Sequence, residues 1–424
     1  MANDSSARRD AAVVPGGTEG LWPIVTICTL VYLLDGLVHS ILGPVAPQMA
    51  AELALTPPQL GTIFSANLIG QSIGLVLFPV LATRLGNRAV VLITSAGFGI
   101  FELASGFVQD GDTMFAIRLL TGFFLGGALP TCLAIVTAAA PPARRGIITM
   151  ILFTGYGAGA TLAGLAVPVF GEDGWRSALI FVGACCLVIA ICVWIWLRPP
   201  EDAKPASSDI AGAAARNPLA VFGPRLLLGT LMLWVLFIAM LTISYCLNSW
   251  LPTLLVEVGH DQSVASLAIT TFSLGGIIAA LGVGVLIDRF GATVILTTFL
   301  TIAALLLAFV GQILATSNAT TLLVMLGICG FFVLGAYGGV NVILAGYFPA
   351  PVRAIGIGWT KSVSRVGTII APILIGFALA SGVPGTAVMS LFAVPAVLAA
   401  LAVLGVGWVA RRIARTDTAS MAER

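Results

Sequence analysis

Charge is what this chain has least of. Only 9% of its 424 residues are Asp, Glu, Lys or Arg, where a soluble domain carries roughly a quarter. That shortfall excludes a water-soluble globular protein of this length. Histidine is scarcer still, at two residues, so a His-based metal site is not expected. The seven cysteines fall in or beside apolar runs without any Cys-x-x-Cys spacing, so they suggest neither a metal nor a redox pair. Cys185 and Cys186 are adjacent, and all seven read as small buried hydrophobes. No His/Cys cluster or Ser–His pairing appears, which argues against an enzyme and implies no cofactor. The basic residues are scattered through loops rather than gathered into a patch, which argues against a nucleic-acid partner. The first twenty residues are polar and the first apolar run is of spanning length, so no cleaved signal peptide is expected.

What is there is hydrophobic. Apolar residues make up 59% of the chain and its mean hydropathy is +1.07. Forty-eight glycines suit the close approach of transmembrane helices. Apolar runs predict twelve helices, at roughly 22–47, 59–82, 89–108, 113–138, 147–170, 176–197, 226–251, 264–287, 292–314, 320–347, 354–380 and 386–410, each able to cross a ~30 Å hydrocarbon core. The expected fold is all-α and integral to the bilayer. A tail at 1–21 leads into a six-helix bundle at 22–197. The segment 198–225 contains PPEDAKPASSD and reads as a linker. A second bundle follows at 226–410, with a tail at 411–424.

Charge also sets an orientation. Arg84, Arg88, Arg144, Arg145, Arg198, Lys204, Arg289, Arg353, Arg411, Arg412 and Arg415 lie in alternate loops or at the C-terminus. The opposite loops hold Glu52, Asp110, Asp112, Glu172, Asp173, Glu257 and Asp261, with Arg176 as the basic exception. The positive-inside rule therefore places both termini and the middle linker in the cytoplasm, and the expected location is the cell inner membrane. The two halves echo one another. Arg84-Leu85-Gly86 recurs as Arg289-Phe290-Gly291, and Pro142-Ala143-Arg144 recurs as Pro351-Val352-Arg353. An internal duplication of six helices accounts for both, as in carriers built from repeated bundles.

Gly284-Val-Leu-Ile-Asp288-Arg289-Phe-Gly291 resembles the signature loop of the major facilitator superfamily. Its first-half copy, Leu81-Ala-Thr83-Arg84-Leu-Gly86-Asn-Arg88, has Thr83 where the family usually has aspartate. Arg118-Leu-Leu-Thr-Gly122-Phe-Phe-Leu-Gly126 resembles the superfamily's arginine–glycine motif. Within the superfamily the chain resembles the aromatic acid:proton symporters. The segments that carry this are Asp35-Gly36 through Gly43 to Pro47, Arg118 to Pro130, Gly171 to Ser177, and Arg353 through Trp359 and Arg365 to Pro372. The resemblance implies a monomeric carrier with twelve helices in two six-helix bundles, moving a small aromatic carboxylate with a proton as coupling ion. Two departures stand out. Val38, followed by His39, replaces the family's second acid in the first helix, and an alanine near Ala138 replaces an acid ending the fourth.

The ionisable residues inside apolar runs are the candidates for chemistry, because a charge in the bilayer is costly unless it meets a partner or a cavity. Asp35 lies ~20 Å along the first span, near the midplane, and is the candidate proton carrier. A neighbouring cation that comes and goes would switch its protonation. Arg365 lies ~18 Å beyond Arg353, with Lys361 one turn nearer the cytoplasm on the same face. Two cations there suit a carboxylate, which arginine can hold bidentately. Arg118 has two candidate partners, Asp35 and Glu102. His39, one turn after Asp35, is a proton relay or a satisfied polar residue near the outer mouth.

Asn67, Gln71, Asn248 and Asn341 are polar groups in apolar runs, available to substrate or to interhelical bonds. Tyr245, Tyr337 and Trp359 could stack on a ring or simply pack. Trp22, Trp175 and Trp250 lie near predicted ends and read as interface anchors. Arg84, Gly86, Asp288, Arg289 and Gly291 form the expected cytoplasmic gate, weaker on the first-half side because Thr83 carries no charge. The fifth span, Gly155-Tyr-Gly157-Ala-Gly159-Ala160, lacks the Gly-Pro pair of many superfamily antiporters, which favours uptake. The competing expectations are a proton-driven exporter on the same fold and a transporter-like sensor, for which short tails and a short linker leave little room.

Overall fold

The computed structural model describes residues 21–141, 144–171, 174–197, 220–349 and 352–422. The tail before Leu21, Pro142-Ala143, Glu172-Asp173, Arg198, Lys204 and most of the linker, and Pro351 lie outside the described residues. Among the described residues there is no strand. Twelve helices are long and apolar enough to cross a membrane. The first six are α1 (Leu21–Glu52), α2 (Pro57–Leu85), α3 (Asn87–Ser105), α4 (Gly111–Ala139), α5 (Arg145–Ala163) and α6 (Trp175–Trp196). The others are α7 (Leu227–Glu257), α8 (Gln262–Phe290), α9 (Ala292–Ile313), α10 (Ala319–Tyr347), α11 (Ile355–Ala380) and α12 (Gly385–Ile413).

The observed helices overrun most of the predicted spans. At 32 residues, α1 is ~48 Å long, well beyond a ~30 Å core. Polar caps decide where such ends fall. Thr56 and Gln59 form a capping box ahead of Pro57 at the start of α2, and Asp110 accepts the Thr113 amide at 2.8 Å to begin α4. That amide and the Thr113 hydroxyl hold the Asp110 carboxyl below its ordinary value. The predicted fifth span, 147–170, is broken instead of continuous. Pro168 has no amide to offer the carbonyl of Gly164. The Ser266 hydroxyl takes that carbonyl at 2.8 Å, and the chain resumes as a short helix, Ala166–Phe170. α12 breaks in the same way at Phe392, three residues before Pro395.

The duplicated tripeptides make the same turn twice. Gly86 (φ 81°, ψ 154°) and Gly291 (φ 86°, ψ 143°) each cap one helix and open the next. That positive φ suits a residue without a Cβ. In the first half α2 packs on α4, α1 on α5, and α3 on α4 and α6. In the second, α8 packs on α10, and α12 on α7 and α9.

The halves touch through α2 with α11, α5 with α8, and α1 with α7. These contacts lie toward the side away from the start of α1. A Cβ on Gly43 would meet the Asn248 carbonyl, and one on Gly61 the Pro372 carbonyl. The Ser65 hydroxyl donates to Ile369 O at 2.7 Å, and the Thr270 hydroxyl to Thr161 O at 2.9 Å. On the side where α1 begins, Gly146, Gly282, Gly284, Gly338 and Gly358 face open space. Among the described residues the close contacts between the halves gather on one side, which leaves the other the more open of the two.

Trp175 and Trp250 are not interface anchors. They are 1% and 0% exposed. The Trp175 indole donates to the Glu52 carboxylate, and Trp250 packs edge-on against Phe64 with centroids 5.3 Å apart. Trp22, by contrast, is 51% exposed.

Candidate functional site

α11 supplies the cations and α1 the acid. On α11, Lys361 and Arg365 are one turn apart on one face. Arg365 Nη1 donates to Gln71 Oε1 of α2 at 2.9 Å, a bond between the two halves. Among the described residues Gln71 is its hydrogen-bond partner, so most of the guanidinium fork is uncommitted. Lys361 Nζ donates to Asn341 Oδ1 of α10 at 2.7 Å and lies 4.7 Å from the centre of the Phe237 ring. The two cations therefore have separate neutral partners, Gln71 and Asn341, and among the described residues neither makes an ion pair.

Asp35 is buried, at 2% exposure, in the middle of α1. Its Oδ1 has no hydrogen-bond partner, and among the described residues it makes no ion pair. Arg365 is the cation whose charge acts on it, and the same charge acts on His39, Tyr32, Tyr337 and Lys361. These groups form one electrostatic neighbourhood around Arg365.

An aromatic wall surrounds them. His39 meets Tyr245 edge-on with centroids 4.9 Å apart and lies 6.1 Å from Tyr156. Tyr156 in turn lies 5.3 Å from Tyr32. Tyr32, Asp35 and His39 fall at i, i+3 and i+7 on α1, a spacing that places Tyr32 on the face of the acid. Tyr156 follows from Gly155 and Gly159, which let α5 close on α1 at Thr29 and Leu33. Phe237 carries no signal in a uniformly apolar run.

α4 sets the register of the polar residues on α2. A Cβ on Gly122 would meet the Asn67 carbonyl, and one on Gly126 the Gln71 carbonyl. The two glycines of the arginine–glycine motif thus press directly behind Asn67 and Gln71. Asn67 Nδ2 lies 3.4 Å from His39 Nδ1. Asn248 Nδ2 donates to Ser40 Oγ at 3.2 Å, an ordinary interhelical bond.

Three sets of candidates sit apart from this group. Arg118 Nη1 bonds Glu102 Oε2 at 2.9 Å, both side chains being 1% exposed or less, so Glu102 and not Asp35 is its partner. Arg118 Nε, Arg118 Nη2 and Glu102 Oε1 are left unpartnered. Trp359 does not line the site: it packs on Phe222 and Trp234, at 5.6 and 6.2 Å. Position 359 lies on the side of α11 opposite Lys361, two residues away. On the open side, Arg84 and Asp288 make no ion pair among the described residues. Arg289 lies 5.4 Å from the Phe290 ring centre, and the Thr83 hydroxyl bonds only its own turn, at Val80 O. The charges expected to form the gate thus make no ion pair among the described residues.

The buried Glu102–Arg118 pair has a measurable consequence. Glu102→Ala leaves a buried guanidinium uncompensated and should cost on the order of 3 kcal/mol, read as a lower unfolding temperature in detergent. Adding Arg118→Leu should recover most of the loss. An unchanged unfolding temperature in Glu102→Ala would show that the pair holds nothing.

Comparison with known proteins places this architecture. The family model of the Major Facilitator Superfamily matches residues 28–261 and 233–423. A gallate transporter of Pseudomonas putida is 30% identical over 415 residues, covering 91% of this chain and 92% of that protein. A 4-hydroxybenzoate transporter of the same organism is 30% identical over 417 residues, covering 92% and 93%. The crystal structure of a D-xylose–proton symporter superposes with a TM-score of 0.74 at 17% identity, covering 91% of this chain and 97% of that one.

Proposed function

This chain belongs to the major facilitator superfamily, and from that premise we propose that it imports a small aromatic carboxylate together with a proton. It is a multi-pass membrane transporter with twelve spanning helices in two six-helix bundles. The observation that carries the finer reading is Arg365. It is an uncommitted guanidinium bonded across the halves to a neutral amide, with a buried, unpaired Asp35 in its field. Two relatives named for ring-hydroxylated benzoates support the aromatic part.

In this reading the substrate carboxylate displaces the Gln71 carbonyl from Arg365 and takes the fork bidentately. The ring is held among Tyr32, Tyr156, Tyr245 and Tyr337. Two anions beside one cation in a poorly solvated site repel one another, and a proton on Asp35 removes that repulsion. Acid and proton then load together and cross as a neutral pair. Lys361, one turn toward the open side and hydrogen-bonded to the neutral Asn341, receives the carboxylate on release. With Arg84, Arg88, Arg144, Arg145, Arg353, Arg411 and Arg412 on that side, the open side is the cytoplasm of the inner membrane and both termini face it. Re-engagement of Asp288 and Arg289 closes that side as the halves rock about the site.

Gln71 tests the reading. Gln71→Glu places a permanent carboxylate against Arg365, and affinity for labelled 4-hydroxybenzoate should fall by ~100-fold or more. Gln71→Ala, which only vacates the fork, should stay within ~10-fold of wild type. Wild-type affinity in Gln71→Glu would show that the carboxylate does not sit on Arg365.

A further inference from the structure

Asn67 holds a buried polar group that the reading above leaves unused. It lies four residues before Gln71, so both side chains share one face of α2, ~6 Å apart along the axis. Gly122 and Gly126 of α4 brace the backbone behind each. Asn67 is 6% exposed. One end of its amide faces His39 Nδ1 at 3.4 Å, and the other, Oδ1, is buried without a partner. Turning the amide over exchanges the two atoms and leaves the same deficit. Native structures rarely leave a buried amide end unsatisfied, and in a membrane interior no bulk water relieves it. The nearby Asn248 shows no such deficit in its amide nitrogen, which is spent on Ser40.

The position of this group relative to Arg365 sets the ligand chemistry. One turn of α2 separates Gln71, which bonds Arg365, from Asn67. That rise is about the span from a carboxylate across one benzene ring to a hydroxyl on its far side. The neighbouring side chains are aromatic, with His39 edge-on to Tyr245. We propose that Asn67, backed by His39, reads a ring hydroxyl of the aromatic carboxylate whose acid group sits on Arg365. Asn67 Oδ1 accepts the phenolic hydrogen. A hydroxyl at the meta or para carbon reaches Asn67, whereas an ortho hydroxyl stays beside the carboxylate. The inference rests on the carboxylate reading, and makes Asn67 the residue that sets ring-substituent preference.

The test is equilibrium binding to the purified full chain, with labelled benzoate displaced by unlabelled benzoate and by its 2-, 3- and 4-hydroxy derivatives. Wild type should bind 4- or 3-hydroxybenzoate ~10-fold or more tightly than benzoate or 2-hydroxybenzoate. In Asn67→Ala that preference should collapse to within about twofold while benzoate affinity stays within about twofold of wild type. Retained benzoate binding also shows that the variant is folded. Asn67→Ser provides a second variant, with the same loss of preference expected. Equal weakening of benzoate and hydroxybenzoates, or a wild type without preference, overturns the role of Asn67 and leaves the carboxylate reading standing. Failure of every acid to bind folded wild type overturns the carboxylate reading, and this inference with it.

Discussion

Arg365→Ala loses the substrate. The dissociation constant for an aromatic carboxylate should rise by ~100-fold or more, since removing one member of a desolvated, hydrogen-bonded charge pair costs ~2–5 kcal/mol. The folded carrier has little reason to suffer with it. Among the described residues the Arg365 side chain makes one hydrogen bond, to the neutral amide of Gln71. Arg365→Lys sharpens the reading. It keeps the charge but loses the planar fork, and its affinity should fall between wild type and alanine. Titration of labelled 4-hydroxybenzoate onto purified protein reads both. Unchanged affinity in Arg365→Ala would remove the carboxylate from Arg365 and leave Lys361 as the remaining cation of the site.

Asp35→Asn separates transport from its driving force. The variant cannot take up a proton at that position, so gradient-driven accumulation should vanish while exchange of labelled for unlabelled acid continues. For one proton per acid, wild type should concentrate substrate about tenfold per pH unit of gradient, and Asp35→Asn should only equilibrate it. The burial of Asp35 and its unpartnered oxygen make this the cleanest of the substitutions, because no ion pair is broken by it. Accumulation that survives in Asp35→Asn would move the proton to another group, with His39 and Glu102 the first to examine.

Much of this was legible in the chain itself. The twelve apolar runs each mark one observed span, the fifth and the twelfth interrupted by a break, and the duplicated Arg-x-Gly tripeptides make the same positive-φ turn. The rarity of intramembrane charge marked Asp35, Lys361 and Arg365 before any contact was known. What the chain did not carry was the rotation of one helix against the next. Periodicity sets the face of α11 that Lys361 and Arg365 share, and the opposite placement of Trp359 follows from it only once α7 is seen packed there. The partner of Arg118 stayed open for the same reason, since α1 and α3 both offer an acid near the outer half of α4. Trp175 and Trp250 read as interface residues because they stand near helix ends, a position that does not tell that Trp175 is packed on Glu52 and Trp250 on Phe64. Tyr32 was recoverable from its spacing to Asp35. Phe237 was not, because every residue around it is apolar too.

In the proposed cycle carboxylate and proton cross together, inward. The most direct measurement is uptake of labelled 4-hydroxybenzoate into proteoliposomes, with and without an inward proton gradient, wild type beside Asp35→Asn. The account predicts accumulation above equilibrium in wild type only when the gradient is present, and none in the variant. Uptake that ignores the gradient, or acid driven outward against it, would contradict proton-coupled import and point to a uniporter or an exporter on the same fold.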